Sequence, residues 1–332
     1  MLSFFPVNRG LLWKEWVNYG GLITVFFLLV VYHYPLSLLL AVNRAGREEN
    51  TGPFYAYVSA AINKMTMNYS GELIIFASIL FAVFLASMLL GEERRNGTMG
   101  LLFSMPYSRR EILINKYIFG VLSLFGIYLV NGLMYLGILA SSSELQALVS
   151  VSDILSWMVI QFVIMVSIFS FALIFGSLAG STLSGAVLSG IFLIFPIGFA
   201  ILIDENLALL MGYRDFGVRN VLVGTGYWLT LPGYFAEPRV VWSYWYLFII
   251  VSVLMFYIAL RIFEHNPVER NGELLMFPRL ELILKVGVAF CTMLLVGGIV
   301  FARGGLGIFG YLVGAGLGWL VSYYAIKLQR RV

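Results

Sequence analysis

Charge is what this sequence has least of: 11% of its 332 residues are Asp, Glu, Lys or Arg, while 61% are hydrophobic. A soluble domain carries about 25% charge, so the polar residues here cannot coat a water-facing surface of this size, which excludes a soluble enzyme and a disordered chain. The single cysteine, Cys291, lies within an apolar run and leaves no intrachain disulfide to form. Two histidines, His33 and His265, are too few for a histidine-rich metal centre, and no metal site is expected. No Gly-x-x-x-x-Gly-Lys-Ser/Thr loop occurs; the nearest approach, residues 176–182, lacks the lysine that meets phosphates. Gly-x-Ser-x-Gly and His-Glu-x-x-His are absent too, so no catalytic residue is expected. A net charge of +4 reflects topology rather than nucleic-acid binding.

What fills the sequence instead is apolar runs of about 20 residues, the length at which a helix crosses a hydrocarbon core about 30 Å thick. Eight are expected to span, at 22–42, 73–91, 117–140, 154–176, 183–203, 244–263, 283–302 and 306–326, which predicts an all-α polytopic membrane protein. The first run is too long for a signal-peptide core. Eight spans put both termini on one side. Placing them in the cytoplasm also puts two thirds of the 21 Lys and Arg there, in keeping with the positive-inside rule. Ahead of the first span, apolar positions 12, 13, 16 and 17 form a helical stripe opposite Arg9, Lys14, Glu15 and Asn18. With Trp13 and Trp16 on it, this segment (1–21) is expected to be an amphipathic helix lying in the headgroup plane and touching membrane lipid, the alternative being an aromatic anchor at the base of the first span. On the outer side, 204–243 holds a half-apolar, Gly-rich stretch too short to span and is expected to form a pair of short helices; 43–72 is polar.

The span interiors hold no Asp or Glu. Buried carboxylates commonly mark ion-coupled carriers, so that class is disfavoured. His33 precedes Pro35, where the helical ladder must break, and Asn131 and Gln161 suit interhelical hydrogen bonding. Gly310, Gly314 and Gly318 recur every four residues on one face, a spacing that lets two helix backbones approach; a dimer interface and packing within the chain both fit it.

The strongest signal follows the second span, where Glu92-Glu93-Arg94-Arg95-Asn96-Gly97-Thr98 leads to Leu101-Leu102-Phe103 and then to Pro106, Ser108 and Arg109. Thr98 can cap a helix of one to two turns that Pro106 ends. Ser108 can cap the next helix, with Glu111 in the capping-box position. Leu101, Leu102 and Phe103 then form an apolar knob framed by charge, suited to insertion into a partner's groove.

This run, between spans two and three, resembles the signature of type-2 ATP-binding-cassette (ABC) transporter permeases, and the resemblance covers roughly residues 8–263. It implies a six-span core (22–263) whose coupling helix, 97–103, docks on a separate ATPase subunit, with Glu92 and Glu93 as the acidic pair closing the second span. It further implies two ATPase subunits carrying ATP and Mg, a second permease chain (identical or paralogous), and location in a bacterial cell membrane. The remaining 264–332, a connector and two more spans, is similar to the permease subunits of acetoin-utilisation ABC operons, whose solute would be acetoin or another small or amphipathic molecule. The connector Glu269-Arg270-Asn271-Gly272-Glu273-Leu274-Leu275-Met276-Phe277-Pro278 echoes the first loop and is expected either to make a second cytoplasmic contact or to be a solvated linker. An envelope- or antibiotic-sensing complex remains the alternative to transport.

Overall fold

The computed structural model describes residues 7–45, 72–104, 106–141, 143–212, 216–267, 270, 272–302 and 307–329. The outer segment at 46–71 and Glu269 therefore lie outside the described residues. The described elements are helical throughout: α1 (Arg9–Val31), a π turn (Tyr32–Leu36), α2 (Ser37–Ala45), α3 (Glu72–Arg95), α4 (Met99–Ser104), α5 (Arg109–Ala140), α6 (Ser143–Leu148), α7 (Val151–Leu178), α8 (Thr182–Met211), α9 (Phe216–Leu229), a 3-10 turn (Leu231–Ala236), α10 (Pro238–Ser243), α11 (Trp245–Glu264), α12 (Pro278–Ala302) and α13 (Gly307–Gln329). Eight of these segments are long and apolar enough to cross a bilayer, and the chain is an all-α, multi-pass membrane protein.

The local chemistry sets the helix ends. Asn8 accepts from the Gly10 and Leu11 amides to start α1. Ser108 and Glu111 form a reciprocal capping box on α5, as Ser150 and Asp153 do on α7. Pro35 has no amide to donate, and the ladder widens there into the π turn. The segment after α8 folds into α9, the 3-10 turn and α10, so short helices do fill it.

The most buried span is α7, which packs against α3, α5, α8 and α11. Trp157 near its N-terminal end is ringed edge-on by Tyr34, Tyr128 and Tyr135 at 5.1–6.1 Å, and the Ser167 and Ser252 hydroxyls join α7 to α11 at 2.9 Å. Asn131 is fully buried, yet its amide donates to Ile127 O of its own helix rather than to a neighbouring one.

One expectation is corrected here and a second narrowed. The N-terminal interfacial helix is not a separate element: residues 9–21 are the opening turns of α1, which runs into the first span without a break. The segment Arg9–Asn43, 35 residues, is about 52 Å long at 1.5 Å per residue, well beyond the hydrocarbon thickness. Its apolar stripe does face outward, but Glu15 turns into the protein instead of toward water. Leu11, Glu15, Tyr19 and Ile23 are buried at one-turn spacing, while Trp13 and Trp16 point outward. The second is a narrowing: Gly310, Gly314 and Gly318, open to a dimer interface or to packing within the chain, face α12 of the same chain. A Cβ on Gly314 would lie 2.6 Å from Thr292 O and one on Gly310 2.7 Å from Val300 Cβ, while Gly318 abuts Thr292 and Ala289. The stripe is thus consumed in a tight α12–α13 hairpin and is unavailable as a dimer interface. That hairpin is tied to α8 through Asn206, which accepts from Tyr311 OH at 2.6 Å and donates to Leu294 O at 3.1 Å.

Candidate coupling site

Between the second and third spans the chain makes the short helix the sequence led one to expect. It begins one residue after Thr98 and ends at Ser104, two residues before the exposed Pro106. Gly97, at φ +68°, turns the chain from α3 into α4, and the Thr98 hydroxyl donates back to Glu93 O at 3.3 Å. Met99 is buried at the root of α4, whereas Gly100 and Ser104 are exposed. The side chains of Leu101, Leu102 and Phe103 lie outside the described residues. Glu92 stays at the rim, paired with the exposed Arg95 at 3.1 Å.

The two residues between them turn inward, and they reach in opposite directions. Glu93 is buried and binds Lys116 of α5 at 3.0 Å and Lys14 of α1. Lys116, itself 1% exposed, also binds the buried Glu15 of α1 at 2.8 Å. Two lysines thus share two carboxylates from three different spans. Among the described residues, the second oxygen of each carboxylate has no hydrogen-bond donor, so the lysines alone compensate the pair. Burying charge is costly unless it is matched in this way, and removing one partner leaves the others stranded.

Arg94 points the other way. Its guanidinium donates to Gly176 O at 2.7 Å and to Ala179 O, carbonyls at the C-terminal end of α7 that have no helical partner of their own. A cation at this end also suits the helix dipole. The same group lies 6.0 Å above the Phe263 ring of α11. Glu93 and Arg94 together therefore fasten the root of α4 to α1, α5, α7 and α11. Arg109, at the start of α5, repeats the device by donating to Glu264 O and Asn266 O just past α11, at 3.2 and 2.9 Å. Asn8 completes the brace: its amide donates to Asn115 Oδ1 at 2.8 Å and its side chain to Tyr107 OH at 3.0 Å.

The second loop, for which a cytoplasmic contact and a solvated linker were both open, is packed against the molecule itself. Its backbone pairs with the α7–α8 turn, Gly180 N donating to Glu273 O at 3.0 Å, Gly272 N to Gly180 O at 2.9 Å and Met276 N to Leu178 O at 2.9 Å. Leu275 and Met276 are buried, with Leu275 in a small core with Ala179 and Leu188 against which Leu274 also packs. Phe277 is half-buried and Gly272 exposed. The apolar residues of this loop are spent inside the molecule.

Of the sequence candidates, Glu93, Lys14 and Arg109 enter this network directly, while Trp13 and Trp16 lie outside it. Glu15, Arg94, Asn115 and Lys116 are not among those candidates: with spans expected to begin at 22 and 117, the first and last of these read as flanking charges. The signal was present in the periodicity. Leu11, Glu15, Tyr19 and Ile23 share one face, and so do Ile112, Lys116 and Phe119 with Gly120, which sets both charges on core-facing stripes.

The signature of the ABC-2 family transporter proteins matches residues 16–216, a stretch that includes Glu93, Arg94, α4 and Lys116. The chain is also similar to the probable ABC transporter permease YtrC of Bacillus subtilis (strain 168), at 25% identity over 98% of this chain and 100% of that one. No solved structure matches it. With more than half of its length under that signature, and with the short helix and its charged root where the motif lies, the chain belongs to the ABC-2 family of transporter proteins.

Proposed function

We propose that this chain is the membrane-spanning permease subunit of an ABC transporter, driven by ATP and Mg bound on a separate pair of ATPase subunits that grip α4 from the cytoplasm. The observation that carries the reading is the placement of Glu93 and Arg94. A short helix with an exposed outer side is rooted, through two adjacent buried charges, in four spans at once. A push on α4 is passed through Thr98 and Glu93 to α1 and α5, and through Arg94 to α7 and α11. Interfaces held by such discrete pairings switch between arrangements rather than deform smoothly.

On this reading both termini and the loops at 92–108 and 264–278 are cytoplasmic, in the membrane of a bacterial cell. A second permease chain, identical or paralogous, completes the passage. On this reading the solute is small or amphipathic, since between the charged groups buried near the span ends (Glu15, Glu93, Arg94, Lys116 and Glu281 at one, Asp204 at the other) the described interiors offer hydroxyls, amides and aromatic rings. The test is affinity capture of the co-expressed ATPase by the full-length chain. Leu101→Asp with Leu102→Asp is expected to abolish capture and ATPase stimulation, with an unchanged melting temperature of the permease. Undiminished capture would remove the docking role. ATP-dependent solute movement in proteoliposomes separates transport from a signalling relay, which predicts none.

A further inference from the structure

Beside the charged network, on the lipid-facing side, α1 and α5 enclose an open groove of about 400 Å³, within the size range that holds small ligands. Leu12, Trp13, Trp16, Phe119 and Leu122 form its walls, Ser123 lies at the membrane end and Arg9 at the other. Trp13 is 68% exposed and Trp16 48% exposed, on the side of the molecule that carries α4. The Trp16 indole lies back along α1, where Gly20 has no side chain to oppose it; a Cβ there would be 3.4 Å from Trp16 Cε2. That posture keeps the groove open.

The polar end of the groove carries charge of one sign. Arg9 is exposed and forms no ion pair with a described residue. No carboxylate lines the groove, and the nearest in sequence, Glu15, is turned into the protein and held by Lys116. An apolar trough that ends in an uncompensated guanidinium is complementary to an amphiphile with an anionic head. Paired tryptophans at a span end suit headgroup depth, and a guanidinium binds phosphate oxygens through a planar fork of donors.

We propose that this groove binds one anionic phospholipid from the leaflet on the α4 side, its phosphate on Arg9 and an acyl chain along Leu12, Trp16, Phe119 and Leu122. The occupant would brace the two helices that Glu15 and Lys116 join. The proposal needs the chain to be membrane-embedded but not to bind an ATPase, so its failure and that of the docking reading are separable.

Full-length protein in lipid nanodiscs tests it, with phosphatidylglycerol and phosphatidylcholine brominated in turn and tryptophan quenching read against the Trp13→Phe/Trp16→Phe variant. The quenching assigned to Trp13 and Trp16 is expected to show an approximately five-fold preference for phosphatidylglycerol, the scale of one surface arginine acting on an anionic lipid. Arg9→Gln is expected to bring the two lipids to parity, and Arg9→Lys to retain most of the preference. Native mass spectrometry of the same proteins should show one retained phosphatidylglycerol, lost in Arg9→Gln. Equal quenching in the unaltered protein, or a preference that survives Arg9→Gln, would overturn the proposal.

Discussion

The two loops that resemble each other in sequence, 92–106 and 269–278, are put to opposite uses. Both turn on a glycine at positive φ, Gly97 at +68° and Gly272 at +94°, and both carry Leu-Leu after an Arg/Asn/Gly run. In the first, Glu93 and Arg94 are drawn into the bundle and the helix that follows projects from them. In the second, the apolar residues Leu275 and Met276 are drawn in, while Arg270 stays near the surface between Glu273 and Glu281 at 3.4 and 3.6 Å. The first loop is thus rooted through its charges and the second through its leucine and methionine. Local composition alone does not distinguish the two.

The largest effect expected from breaking this contrast is at the charges. Lys116→Met leaves two buried carboxylates to the single, partly exposed Lys14 and should cost about 3–5 kcal/mol of stability, measured by denaturant titration in micelles. Arg270→Met, where a partly exposed arginine faces the partly exposed Glu273 and the buried Glu281, should cost less, about 1 kcal/mol. Similar losses for the two would erase the distinction. At the leucines the order reverses: Leu275→Ala should destabilise the permease by about 2–5 kcal/mol, whereas the paired aspartates at 101 and 102 should leave its melting temperature alone and abolish ATPase capture.

Smaller effects sharpen the picture elsewhere. Gly314→Val should overpack the α12–α13 hairpin at a cost of about 1–3 kcal/mol without altering the mass of the assembly in native mass spectrometry. A shift to monomer with full thermal stability would restore the dimer reading of that stripe. Gly97→Ala and Gly272→Ala should each cost about 1 kcal/mol from the forced left-handed turn. Of the two, only Gly97→Ala should also lower ATP-dependent activity of the assembled complex.

Much of this was legible in the sequence, for reasons that can be traced to particular residues. The eight spans follow from apolar length, and Ser108 with Glu111 could be read as a cap because a capping box is strictly local. The inward turn of Glu93 and Arg94 was harder to foresee. Charges at a span end are ordinarily drawn toward water, and only their phase relative to the apolar stripes of α1 and α5 shows otherwise. The fate of Gly310, Gly314 and Gly318 was open because a small-residue face specifies close approach but not the approaching helix. Leu275 could not be placed before its partner, the Leu178–Gly180 turn, was known, since the pairing joins residues almost 100 positions apart through backbone atoms that leave no sequence trace.

Site-specific photocrosslinking tests the central claim most directly. A photoreactive residue is placed at Gly100 or at Gly272, two exposed positions where an added side chain meets open space, the second at the left-handed turn's cost of about 1 kcal/mol, and the permease is irradiated with its ATPase. An ATPase adduct that forms from position 100 and not from position 272 is the predicted result. An adduct from 272 with none from 100 would show that the motor grips the other loop and would contradict the account.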